Sequence, residues 1–478
     1  MNFSRHKFYK PGLLLLALLL FGGAGSLQNS LNRDRVQMGL TPLPDDPAMP
    51  PILALTTQAL GGFRGLIANA LWIRASQLQE EDKYFEMVQL ADWITKLEPH
   101  FVQVWLVQSW NMTYNISVKF SDPADRWRWV QRGIELLRDD GLRYNPDEVL
   151  IYRELAWFFQ HKMGQNLDDA HVYYKGAWAV EMTVALGSGR PDFKALLDPQ
   201  TDEARKRATL VREKYKMDAR KMKDVDDRYG PLDWRLPEAH AIYWASLGLE
   251  KSKPDQLMTL RRVIYQSMQM AFQRGRLVLV PNAPPRLGPN LEIVGKANDA
   301  YEEMLRLETE GNMRDGIRKA HRNFLKEACY ELYVHGREKE GQGWLKQLRE
   351  KYPDALPANL SLPEYVVLRL TEDVKGGNSA RVTSVVEGFI AQSYIALIED
   401  RDAEATEYSV RAREIWEAYQ RRIKNDPRLM PPPLSEMKQA VLKNLLDEKT
   451  GLIPEAADRL RKKLGLPAAT PAPAPAKT

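Results

Sequence analysis

Between residues 57 and 466 apolar positions recur at intervals of three and four, the spacing of one helix face, and runs alternating apolar with polar residues are few. The pattern predicts an all-α chain. Pro99, Pro146, Pro237 and Pro353 punctuate it at expected helix boundaries. The one strand-like patch, "RLVLVPNAPPRLG" at 276–288, is expected to be a short strand or an extended loop. Residues 101–117, "FVQVWLVQSWNMTYNIS", point apolar side chains in nearly every direction when wound at about 100° per residue, which predicts a helix buried between neighbours. Gln108, Asn111 and Asn115 form one polar seam along it. These amides either bond to neighbouring groups, because an unpaired buried amide costs about 1–3 kcal/mol, or they face a ligand groove.

The two ends differ from this body. "MNFSRHKFYK" carries Arg5, Lys7 and Lys10 and no acid, and the 17-residue uncharged run "PGLLLLALLLFGGAGSL" follows it. A basic flank before an apolar run is an export signal or a signal anchor, and the run reaches the lower limit of about 17–25 residues for a span. The expectation is a retained single-pass anchor in a bacterial inner membrane (residues 1–28), with the folded body in the periplasm. A Pro-rich spacer is expected over 29–56 and a disordered Ala/Pro tail over 467–478. Helical repeats fill 57–184 and 232–466, around a charged linker or protruding helix at 185–231.

Within 147–182, Tyr152, Leu155, Ala156 and Phe159 precede a turn at Gly164, and Ala170, Tyr174 and Ala177 follow it. This resembles the tetratricopeptide repeat: a first helix with aromatic, leucine, small and aromatic positions, a turn, then a second helix with Ala-x-x-x-aromatic-x-x-Ala. An insertion near Gln165 and Asn166 departs from the family. The preceding unit places Trp105 and Ser109 in the aromatic and small positions, with Gly133 and Leu137 on a longer second helix. Pro99 to Pro146 spans 47 residues, against about 34 in the family. Gly341, Leu345, Leu348 and Pro353 fit a later second helix. More loosely, the stretch from Leu60 to Pro99 resembles a group of exported bacterial helical-repeat proteins to which no activity is attached. The tetratricopeptide resemblance implies a tetratricopeptide-like solenoid whose first helices bind partners on their concave side. Carried over residue by residue, that face is Gln103, Trp110, Thr113 and Tyr114 in one unit, and Arg153, Trp157, Gln160 and His161 in the next.

Charge changes this picture little. The net charge is +5 over 478 residues, and the densest run, Thr201–Arg228, mixes ten Lys/Arg with seven Asp/Glu. That predicts a solvated segment and no nucleic-acid partner. A single cysteine, Cys329, allows no internal disulfide and no Cys-based metal site, and is expected to be a buried apolar residue. The motifs H-E-x-x-H, G-x-S-x-G and the phosphate loop are absent, and "LGSGRPDFK" reads as a loop. His161, Asp168, Asp169 and His171 are the best metal candidates, although an aspartate there also suits a helix N-cap. Glu80, Glu81, Asp82 and Glu86 sit at a helix junction, where acids favour the following N-terminus. Of twelve tryptophans, seven lie between Trp72 and Trp157. Most have core spacing, whereas Trp127 and Trp129, among Arg126, Arg128 and Arg132, should leave a ring near the surface. The expected function is a scaffold for other envelope or membrane proteins, without enzymatic activity or cofactor. An envelope enzyme such as a cell-wall hydrolase, or a secreted glycan-binding protein, is the alternative.

Overall fold

A computed structural model describes residues 6–37, 63–187, 189–254, 256–278, 286–309, 311–372, 379–423, 430–447 and 451–467. The described chain is helical apart from one strand pair, and it divides into two compact units, Met1–Gly288 and Pro289–Thr478.

The first unit begins with α1 (His6–Gln37), on which Leu13–Leu16 and Leu18–Phe21 are 52–66% exposed. Among the described residues no helix is long and apolar enough to cross a membrane. Because α1 runs to Gln37, the expected spacer begins helical; residues 38–56 and all but the first residue of the tail lie outside the described residues. Next, α2 (Phe63–Glu80) and α3 (Tyr84–Leu97) form a hairpin that buries Ala68 against Ala91 and Ile94, and Ala75 and Leu78 against Met87.

Two units of one design follow. Helix α4 (Val102–Trp110) runs directly into a π-helical segment, Asn111–Ile116. Its counterpart α7 (Val149–Trp157) runs into a π segment at Phe158–Gly164, so both α-helical boundaries and the π start recur after 47 residues. Between them, α5 (Pro123–Glu135) is started by Asp122, whose carboxylate accepts from the Ala124 N–H, and by Pro123 in the first turn. A third π segment, Leu136–Gly141, and a single turn, α6 (Leu142–Tyr144), continue it. The entry to each first helix is tied the same way: Trp105 Nε1 donates to the Pro99 carbonyl, and Tyr152 Oη to the Pro146 carbonyl, both at 2.8 Å. Helix α5 crosses α4 at Gly133, where a Cβ would stand 2.8 Å from the Ser109 carbonyl oxygen and run into Thr113. A side chain larger than hydrogen would hold the two helices apart.

Helix α8 (His171–Leu186) completes the second unit. The mixed-charge stretch after it is folded into α9 (Phe193–Leu197), α10 (Asp202–Thr209) and α11 (Ala219–Tyr229), and it buries Val211, Tyr215, Met222 and Tyr229. Buried Asp226 fastens the stretch by accepting from Arg190, the Leu232 N–H and Trp234 Nε1. Then α12 (Pro237–Lys251) packs along α7 and pairs with α13 (Leu257–Arg274). His240 on α12 sits among Phe159, Trp178 and Trp234, and burial holds its pKa down at about 4. The strand-like patch forms a pair, β1 (Arg276–Val278) antiparallel to β2 (Arg286–Gly288), with Leu277 opposite Leu287.

The second unit is built from α14 (Val294–Leu307), α15 (Gly311–Val334), α16 (Glu338–Lys351), α17 (Leu362–Glu372), α18 (Ser379–Ile398), α19 (Asp402–Ile423), α20 (Leu434–Leu445) and α21 (Pro454–Leu464). Gly341, Leu345 and Leu348 form the buried face of α16, and Gly341 lies close to the Cys329 carbonyl on α15. Cys329 is fully enclosed, and burial pushes its thiol pKa up to about 12. His321 is held between Tyr352 Oη and Asn298 Oδ1, both at 2.9 Å.

Candidate binding face

The two α-to-π junctions place two aromatic pairs side by side. On the first helix Trp110 stacks on Tyr114, with centroids 5.3 Å apart. On the second, Trp157 stacks on His161 at 4.5 Å with the rings 12° from parallel. Tyr114 Oη lies 3.0 Å from His161 Nδ1 and joins the pairs into one row, Trp110–Tyr114–His161–Trp157. Trp110 is 40% exposed, and the other three are half-buried. Burial, then the charge of Lys162, lowers the His161 pKa, so the imidazole is neutral at pH 7. Burial raises the Tyr114 pKa far above the ordinary range. Both groups are neutral, and the imidazole tautomer sets which of them donates.

Thr113 and Gln160 are corrections to the face read from sequence. Both are buried; Gln160 Nε2 donates to the Val263 carbonyl and to Ser267 Oγ on α13, and Thr113 lies against Gly133. Their turning inward follows from π winding. Hydrogen bonds from i to i+5 reduce the rotation per residue, so the fourth residue after Trp110 or Trp157 falls nearly in line and the third falls well short. Gln103 is exposed two turns before Trp110. Arg153 is half-exposed and pairs with Glu154 at 3.3 Å, against the raising effect of burial on that carboxyl. The polar seam faces α3: Gln108 Nε2 donates to the Val88 carbonyl at 3.2 Å, and Asn111 Nδ2 lies 3.3 Å from Met87 Sδ. Trp129 keeps a half-buried ring against Phe85 and under Arg132, whereas Trp127 is buried beside Tyr174.

Beneath the row lies an ion pair that sequence reading passed over. Lys162, 3% exposed, meets Asp168 at 2.6 Å and donates to Ser117 Oγ at 3.1 Å. Its ammonium also lies over the rings of Tyr114 and Tyr174. Burial pushes the Asp168 carboxyl up, but Lys162, the Ala170 N–H and Arg126 outweigh it and hold the pKa below the ordinary value. The signal was a lysine inside the apolar run "FFQHKMG". A second buried polar group fixes the inserted turn. Lys175 Nζ contacts the Gln165 carbonyl, Asn166 Oδ1 and His171 Nδ1 at 2.9–3.2 Å, while Arg274 reaches Asn166 and the Gly164 carbonyl. Burial lowers the Lys175 pKa to about 8, and it raises the pKa of Glu238 nearby. The four metal candidates are thus engaged elsewhere: Asp168 by Lys162, Asp169 by Arg126, His161 by Tyr114 and His171 by Lys175. Among the described residues no group of three or more His, Cys, Asp or Glu is placed to hold a metal ion.

No family model matches this chain, and no curated protein matches it. A crystal structure of the P58(IPK) TPR domain aligns with 79% of this chain and 97% of its own at 11% identity, with a TM-score of 0.15. The repeat architecture therefore rests on the 47-residue recurrence within this chain.

Proposed function

We propose that this protein is a non-enzymatic scaffold, held at the outer face of a bacterial inner membrane by α1, whose aromatic row captures a segment of another envelope protein. One observation carries the binding reading: two successive units contribute equivalent aromatic pairs to one continuous, partly exposed surface. Stiff rings already stacked lose little freedom on binding, and aromatic residues anchor protein interfaces disproportionately. The units resemble tetratricopeptide repeats, in which this face of the first helices binds. Membrane attachment is supported by α1, where leucines exposed all round the helix call for an apolar surrounding.

A photo-crosslinking amino acid at position 110 or 157 tests the binding reading in membranes. The same partner band is expected from both positions, and it should disappear when His161 and Tyr114 are changed to alanine. Equal labelling from a control at exposed Lys194 overturns it. Release of the protein from membranes by carbonate, with α1 intact, overturns the anchor.

A further inference from the structure

Helix α8 turns an uncharged, largely apolar face outward. Val172, Val180 and Val184 on it, and Leu167 just before it, are 65–70% exposed, and Tyr173, Gly176 and Thr183 are exposed among them. Val172, Gly176, Val180 and Val184 follow one another at intervals of four and form a single row over about three turns. The lysine and the acid of this helix turn towards the body of the chain. Lys175 holds the inserted turn, and Glu181 accepts from Tyr215 Oη at 3.0 Å and from Lys214 at 3.3 Å. This row lies on the second helix of its unit, whereas the aromatic row is carried by the first helices. Its seven residues expose on the order of 600 Å², the upper end of what ordinary monomers leave as one apolar patch.

The face is complementary to itself. With a two-fold axis beside Trp178, two copies of α8 run antiparallel, and Val180 of each falls at Gly176 of the other, Val172 at Val184, and Tyr173 at Thr183. A Cβ at Gly176 would meet nothing within 4 Å, so the glycine leaves an outward notch that a valine can fill. Thr183 Oγ1 donates to the Ala179 carbonyl and keeps its lone pairs for the phenol of the second copy. Rows spaced at four interlock when helices cross at about 50°. Close to a two-fold axis a residue meets its own kind, so a charge there would repel itself, and this face carries none. Two such faces can bury up to roughly 1,200 Å², the lower end of specific interfaces. We propose that α8 is a homodimer interface, closed by a second copy of this chain packed antiparallel about Gly176 and Val180. The pairing uses no residue of the aromatic row, so the two readings fail separately.

A photo-crosslinking amino acid in place of Val180, in the full chain in membranes, should give a band of twice the chain's mass that contains peptides of this chain alone. A band with another protein, a lipid adduct or a link within one chain overturns the pairing. Two differently tagged copies read the register. Val172→Cys in one and Val184→Cys in the other should join under mild oxidation, while Cys329, fully enclosed, stays silent. Val172→Cys in both should not join, because in the antiparallel pair these positions lie about 18 Å apart along the helix. Gly176→Leu enters open space within its own chain, so the melting curve of dilute protein should not fall. It should nevertheless weaken self-association on the order of tenfold in sedimentation equilibrium of the detergent-solubilised full chain. Equal joining of both cysteine pairs overturns the antiparallel register, and wild-type self-association of Gly176→Leu and of Val180→Asp overturns the interface.

Discussion

Tyr114 and His161 occupy equivalent positions of successive units, 47 residues apart, and the phenol oxygen of one and Nδ1 of the other are hydrogen-bonded across 3.0 Å. The contact makes the neutral imidazole part of the interface between units. Burial, then the charge of Lys162, holds the ring neutral, so Lys162→Met should let the His161 pKa rise towards 6.5. With a folded pKa below the unfolded value, the wild type loses stability as pH falls through 6.5, and the variant should lose less over that window. Histidine Cε1–H NMR titration reads the shift directly; an unchanged midpoint removes the Lys162 charge from the account.

Asp168→Ala leaves Lys162 enclosed without its nearest carboxylate. Loss of one partner of a buried pair costs roughly 3–5 kcal/mol, so the melting temperature should fall steeply. The wild-type contribution should persist above the ordinary aspartate range and vanish as pH falls through the depressed folded pKa. A variant as stable as wild type at pH 7 would mean that Asp169, Ser117 and the rings suffice for the ammonium.

Lys175 has the same sign in a higher pH window. Its folded pKa of about 8 lies below the unfolded value of 10.5, so the unfolded chain binds more protons between them and this residue's contribution to stability rises with pH across that interval. Urea melts of wild type and Lys175→Met from pH 7 to 10.5 should therefore show the wild type gaining on the variant. Parallel curves would show that the ammonium is not penalised where it lies.

Two close-packed positions test the repeat register. Ala156 is fully buried at the small position of the second unit, and Ala156→Leu should cost about 1–3 kcal/mol by overpacking. Gly133→Ala should cost a similar amount, because its new methyl meets a backbone carbonyl that cannot swing aside. Thermal melts unchanged within error at either site would place these helices farther apart than described.

The sequence by itself determined the helical class, the unit length and the position of the aromatic pairs. Apolar spacing and proline positions are local signals, and Pro99 and Pro146 mark the 47-residue interval that the helix boundaries repeat. Ala156, Leu155 and Phe159 are buried as their spacing implied. Tertiary structure decided which neighbours of those aromatics face outward. The tetratricopeptide resemblance put Thr113 and Gln160 on the face with Trp110 and Trp157, whereas the π segments wind more slowly and turn both into the body. The Lys162–Asp168 pair was equally out of reach of the sequence. Its members flank the inserted turn, and only packing brings Ser117 Oγ and the Tyr114 and Tyr174 rings around the ammonium.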